Sequence, residues 1–369
     1  MILFYTASKD ATIYLQQPYQ NTGIDEMLEI SKVYYGDTKD ISRVLIQFDT
    51  TEISKSIANG TIPSGSFTAS LQLKITKAEE LAADFTIEAN PISGSWEMGT
   101  GTRFDNLTTN GATWIYRNGD NTTTNWYTTM NGITASYGLG VTGSWDGRGA
   151  SWYTSSVATQ SFSYTLEDIN LDVTAFVRKW NSGSITNNGI ILKFPSDKES
   201  GSVDYGSIKM FSTETNTIYQ PKLVISYVDN VGVTGSLTTI TDFINSSSYD
   251  VSYRCYSPNL KTSYQEAQKV TLKIEARELY PIKQFNSTFA YQVKYYLPTT
   301  AYYSEIDTLT KETIIGYSDN SKVIKGQFNS LIKLNFQNWP VGRNYTLLVK
   351  SITSDNDEIF EIGTFDIYK

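Results

Sequence analysis

An all-β fold in two β-sandwich domains is predicted for this chain of 369 residues, and three features carry the prediction. Charged residues make up only 18% of the chain, below the usual quarter or so. Thr, Ser, Asn and 26 Tyr fill the difference, and these suit strand faces and turns better than solvated helices. Several short segments alternate apolar and polar residues at a period of two, the mark of a half-buried strand. Clusters of Gly, Asn, Pro and Ser separate those segments, as sandwich loops require.

Taken in order, residues 11–15 read as a short strand and residues 43–48 as a mostly apolar, β-branched one. In residues 69–75, Leu71, Leu73 and Ile75 are expected on one face, with Gln72 and Lys74 on the other. Residues 85–88, 189–194, 208–212 and 222–227 continue the series. One helix interrupts it. Val173, Phe176, Val177 and Trp180 fall at i, i+3, i+4 and i+7, a single apolar stripe. Asp172 or Thr174 can cap its start, and Gly183 sits where it can stop. Residues 91–164 have another texture, with Trp96, Trp114, Trp126, Trp145 and Trp152 among many Gly, Thr and Ser. They read as long loops carrying aromatics, which tend to be functional or packed against a neighbour. After a connector at 228–235 the strands resume at 249–256, 269–276, 290–296, 330–336, 345–352 and 363–368. This second unit, residues 236–369, is of about immunoglobulin size.

Composition excludes several function classes. The formal net charge is −8 and no basic run occurs, so neither nucleic acid nor an anionic membrane is an expected partner. The absence of histidine removes the commonest general base and zinc ligand. The lone Cys255 cannot form an internal disulfide and reads as a small strand residue. Residues 1–10 carry only a four-residue apolar run, too short for a secretory signal. The expectation is therefore a soluble protein that accumulates in the cell that makes it. Carboxylates near the loop region, Glu97, Asp105, Asp120, Asp146 and Glu167, form no evident glycosidase pair. No phosphate-binding loop appears, and no catalytic residue is assigned.

Ordered segments of the first 229 residues resemble a family of jelly-roll modules related to carbohydrate-binding modules. They are Asp10-Ala11-Thr12-Ile13-Tyr14, Asn21-Thr22-Gly23 with Leu28-Glu29-Ile30, and Arg43-Val44-Leu45-Ile46-Gln47-Phe48-Asp49. Trp96-Glu97-Met98-Gly99-Thr100-Gly101-Thr102 follows, then Gly111-Ala112-Thr113-Trp114 and Gly149-Ala150-Ser151-Trp152. Leu171-Asp172-Val173-Thr174 with Val177 and Trp180, Asn188 to Lys193, and Tyr219-Gln220-Pro221-Lys222-Leu223 close the match. In detail these look most like versions in virion proteins of contractile-tailed bacteriophages. Arg277-Glu278-Leu279-Tyr280-Pro281, Leu297-Pro298 and Ala301-Tyr302-Tyr303-Ser304 in the second unit are similar to the same group.

The resemblance implies a jelly-roll-like β-sandwich over residues 1–229, followed by the smaller immunoglobulin-like β domain. It implies a non-enzymatic structural protein of a tailed-phage virion, at the neck, baseplate or a fibre attachment point, assembled in the host cytoplasm. Its partners would be other virion proteins, with the chain itself a homo-oligomer in a symmetric assembly. The alternative is a glycan-binding adhesion module that contacts the host surface. Trp126, Tyr127, Trp145 and Arg148 are the candidate contact residues under either reading, because aromatic faces stack on sugars and fill protein interfaces. No cofactor is expected apart from a structural Ca²⁺, for which Asp10, Asp25, Glu26 and Asp172 are candidate oxygen donors.

Overall fold

The computed structural model describes residues 1–119, 124–126, 135–137, 149–163, 167–227, 253–278, 297, 300–325, 330–352 and 357–369. Strands dominate, as expected for an all-β chain, and among the described residues three short α-helices and one 3-10 turn, Asp319–Ser321, punctuate them. The chain divides into two compact units, Tyr5–Ile225 and Met1–Phe4 with Ser226–Lys369. The first four residues thus group with the C-terminal unit rather than with the sandwich that follows them in sequence. There the Phe4 ring meets Trp339 edge-on at 5.9 Å, and the Phe4 carbonyl accepts from Asn338 Nδ2 at 2.6 Å.

The N-terminal unit is a β-sandwich. One sheet contains β1 (Ile2–Thr6), β5 (Phe67–Leu73), β13 (Ile169–Asp172) and β16 (Lys222–Tyr227), in the order β1-β16-β5-β13, with Ile2–Phe4 and Ser226–Tyr227 of its strands counted in the other unit. The larger sheet contains β2 (Lys9–Tyr14), β3 (Met27–Tyr35), β4 (Thr38–Gln47), β6 (Ile75–Glu79), β7 (Asp84–Pro91), β12 (Ala158–Ser163), β14 (Ile190–Lys193) and β15 (Gly206–Phe211). Its order is β12-β7-β14-β4-β3-β15-β6. The first half of β4 pairs with β3, and the second half, Ser42 to Gln47, pairs with β2. Phe67, Ala69, Leu71 and Leu73 of β5 are buried at alternate positions. Ile75 does not continue that face. The chain leaves one sheet at Lys74, and Ile75 opens β6 in the other, opposite Met210.

The predicted helix is α2 (Thr174–Asn181), with Phe176, Val177 and Trp180 buried. An Asp172 carboxylate oxygen accepts from Thr174 N at 2.9 Å. The helices α1 (Thr51–Ala58) and α3 (Ser196–Ser200) were not legible as apolar stripes. Within 91–164 lie β8 (Tyr116–Asn118), β9 (Thr124–Asn125), β10 (Ala135–Tyr137) and β11 (Ser151–Tyr153).

The C-terminal unit has an immunoglobulin-like strand plan. One sheet orders β17 (Tyr253–Tyr256), β19 (Lys269–Glu278), β23 (Ser330–Asn335) and β22 (Ile324–Lys325). The other orders β18 (Ser263–Gln265), β25 (Asp357–Tyr368), β24 (Asn344–Ile352), β20 (Ala301–Asp307) and β21 (Thr313–Ile315). Leu272, Ile274 and Ala276 of β19 are buried, as their alternation predicts. Near the start of β24, Tyr345 donates its hydroxyl hydrogen to the Pro340 carbonyl at 2.9 Å, the tyrosine corner of immunoglobulin-like sandwiches. Tyr264, Phe336, Trp339, Tyr345 and Phe365 form its aromatic centre. Cys255 is buried and unpaired. Predicted strand 290–296 lies outside the described residues.

Candidate interaction surface

Strand β4 is buried along seven consecutive residues, so both faces of its sheet are covered. The residues that cover one face come from the Trp-rich stretch. Ala11, Ile13, Ile41, Leu45 and Ile191 of the sheet pack into one cluster with Trp96, Trp114, Trp126 and Trp152. These indoles are internal, and two of them bond their N–H groups inside. Trp96 Nε1 donates to the Asn188 carbonyl at 2.8 Å, and Trp126 Nε1 to the Thr113 carbonyl at 3.0 Å. Trp96, Trp114, Trp126 and Trp152 of the stretch read as loops therefore build a second core on the back of the sheet.

A charged centre anchors it. Arg43, on the same face of β4 as Ile41 and Leu45, is fully buried against Glu199 of α3. The pair is bidentate, with Nε to Oε1 at 3.0 Å and Nη2 to Oε2 at 2.6 Å, a geometry that adds direction as well as energy. The guanidinium lies 4.8 Å from the Trp114 ring and 5.2 Å from that of Trp152, and Nη1 donates to the Gly149 carbonyl. Gly149 has φ +74, and a Cβ there would collide with both Arg43 and Trp114. Lys193 lies across from Glu88 in the adjacent pairing, with Nζ 3.3 Å from Glu88 Oε2 and 5.0 Å from the Trp152 ring. Burial pulls the Lys193 ammonium below its ordinary pKa, and Glu199 and Glu88 oppose that pull. Lys32 and Tyr34 hold the Gly201 carbonyl beyond α3, and Lys39 holds the Glu199 carbonyl. Glu199 is thereby delivered to Arg43.

A second set of contacts ties two loops together, and here the motifs find their role. Asn21 Nδ2 donates to the Met98 and Ala112 carbonyls, each at 2.8 Å. Its Oδ1 accepts from Gly23 N at 3.1 Å and Gly101 N at 2.9 Å. Gly99, at φ +80, leaves no room for a Cβ, which would fall on Asn21 Oδ1. Asn21 N reaches the Thr108 carbonyl, and Ile24 N the Gly101 carbonyl. Arg103 N donates to the Asp25 carboxylate. The Asn-Thr-Gly and Trp-x-x-Gly-Thr-Gly segments are thus two halves of one fastening.

What these fastened loops present outward is apolar. Phe104 is 86% exposed and Leu107 68%, with Tyr19, Ile24 and Met27 also exposed on the facing loop. Arg103 sits behind them. Its guanidinium lies 4.0 Å from the Tyr14 ring and 5.2 Å from that of Phe104, and it pairs with Glu29. Burial raises the Asp25 carboxyl above its ordinary pKa, against the pull of its Arg103 contacts. Exposed Glu26, Asp105 and Glu214 surround the patch. Asn216 Nδ2 bonds Glu26, and Ser212 Oγ bonds the Asp25 carbonyl, which places the 212–216 loop beside it.

The residues picked from sequence fare differently. Trp126 lies in the internal cluster at 1% exposure, so it offers no face to a sugar or a partner. That expectation is corrected, because the indole is worth more buried against the sheet than left in water. Tyr127, Trp145 and Arg148 lie outside the described residues. The four carboxylates proposed for Ca²⁺ are each used separately. Asp10 accepts from Thr213 N and Oγ1, Asp25 from Arg103, Glu26 from Asn216 and Asp172 from Thr174. Among the described residues no group of three or more Asp, Glu, Cys or His converges as a metal site. Asp10 is buried, and burial pushes its carboxyl up to about 7 against the Thr213 hydrogen bonds. Sequence reasoning missed Phe104 and Leu107. The available signal was two large apolar residues in a loop otherwise made of Gly, Thr and Asn.

No protein-family model matches this chain, and no curated protein matches its sequence. Among the described residues no helix is long and apolar enough to cross a membrane.

Proposed function

We propose that this chain is a non-enzymatic structural component of a tailed-phage virion, at the neck, baseplate or a fibre attachment point, acting through protein–protein contacts. The virion placement is supported by the sequence motifs quoted above. The contact mode is supported by one observation: large apolar side chains stand in solvent on two loops that internal hydrogen bonds hold rigid. Exposed apolar clusters rimmed by polar groups mark interaction sites, and a fixed loop loses little freedom on binding. The aromatics that suggested sugar stacking are spent inside the fold wherever they are described. A symmetric ring suits such a part.

Mass spectrometry of particles purified on a density gradient tests the reading. The chain should co-migrate with intact particles at a fixed ratio to the other structural proteins. Its loss from washed particles, or turnover of a glycan by the purified chain, contradicts it.

A further inference from the structure

We infer that the fastened loops at 18–27 and 99–111 dock a partner protein segment that inserts apolar side chains and carries Lys or Arg around them. This rests on the assembly reading above and adds the chemistry of the partner. The apolar half follows from Ile24, whose N–H bonds the Gly101 carbonyl, and from Phe104 and Leu107, which stand exposed between the pinned residues Arg103 and Thr108. The basic half follows from the rim. The two loops and the adjoining 212–216 turn carry Asp25, Glu26, Asp105 and Glu214 against a single base, Arg103. That base is already committed to Glu29. With Asp25 held by Arg103, the exposed Glu26, Asp105 and Glu214 leave an acidic edge beside an apolar centre, which selects a partner of opposite charge and steers its approach.

The same rim argues against a second copy of this chain. A two-fold contact through this patch would set Glu26, Asp105 and Glu214 near their own images. Like charges placed face to face disfavour such a contact. It argues against nucleic acid for the same reason. The apolar side chains include the aliphatic Ile24 and Leu107 as well as Phe104, which suits packing against the apolar side chains of a protein segment better than stacking on a sugar ring.

The test is selection of a random displayed-peptide library on the intact chain, followed by titration of the enriched peptides. They should combine aromatic or Leu residues with Lys or Arg. Phe104→Ser with Leu107→Ser should weaken them about tenfold or more. Glu26→Gln with Asp105→Asn and Glu214→Gln should weaken them less, and should flatten the dependence on salt. Equal melting temperatures of the variants and the parent exclude misfolding. Enrichment of peptides without bases, indifference to both sets of variants, or no enrichment at all overturns the inference. So does self-association in sedimentation that Phe104→Ser with Leu107→Ser abolishes. Each of these leaves incorporation into particles untouched, so failure here is separable from failure of the virion reading.

Discussion

The N-terminal unit buries a bidentate Arg–Glu pair, whereas the C-terminal unit buries an acid, Glu305, that has no hydrogen-bond partner. Arg43 and Glu199 share two hydrogen bonds with no solvent exposure, and Lys193 faces Glu88 beside them. In the C-terminal unit Glu305 of β20 is fully buried, and neither carboxylate oxygen has a hydrogen-bond partner. Burial pushes its carboxyl up to about 8. The difference follows from what each core must do. The Trp-rich stretch has to be held in one place on the back of a sheet, and a bidentate pair fixes register where apolar packing alone is permissive. The immunoglobulin-like plan is already fixed by its strand pairing and its tyrosine corner. It can hold a carboxyl that burial keeps neutral near Tyr264, Tyr303 and Tyr345.

The largest expected effect breaks the paired side of this comparison. Arg43→Met removes the bidentate partner of the buried Glu199, and should destabilise the N-terminal unit by about 3–5 kcal/mol in urea unfolding. Adding Glu199→Met should recover most of that loss, because the pair matters for placement more than for net energy. No recovery would mean that Arg43 acts mainly through the Trp114 and Trp152 rings.

The next effect sharpens the unpaired side. The folded Glu305 carboxyl keeps its proton up to about 8, while the unfolded one releases it near 4.5. The folded state therefore holds the extra proton between those values. Stability from this group is full below that window and falls as pH rises through it, by about 1.4 kcal/mol per pH unit. Thermal melts of the C-terminal transition from pH 5 to pH 8 should show the decline, and Glu305→Gln should flatten it. Asp10 contributes in the same direction to the N-terminal unit, with its loss complete near 7. A smaller change is expected from Tyr345→Phe, which removes the hydrogen bond to Pro340 and should cost about 1 kcal/mol. Phe104→Ser with Leu107→Ser should leave stability unchanged, because both side chains already face water.

Much of the fold was legible because a strand writes its burial into alternate residues. Leu71 and Leu73, or Leu272 and Ile274, show this directly. The reading failed where a strand changes sheet, as at Lys74, since alternation carries no mark of which partner comes next. At residues 91–164 it left two readings open, functional loops or loops packed against a neighbour. Trp in a Gly- and Thr-rich stretch looks the same whether it projects outward or folds back. Only the register of Arg43 and Leu45 on the face of β4 decides that Trp114, Trp126 and Trp152 lie inside. The motif segments were visible, but their task was not. Asn21 reads as a turn residue until Met98, Gly101 and Ala112 are brought to it from far along the chain. The exposed residues beyond that fastening, Phe104 and Leu107, follow no period at all.

Electron cryo-microscopy of the intact particle tests the central claim most directly. The account predicts density for this chain with the 18–27 and 99–111 loops closed against a neighbouring protein, and Phe104 and Leu107 buried at that contact. The chain seated in the particle with those loops open to solvent would contradict it.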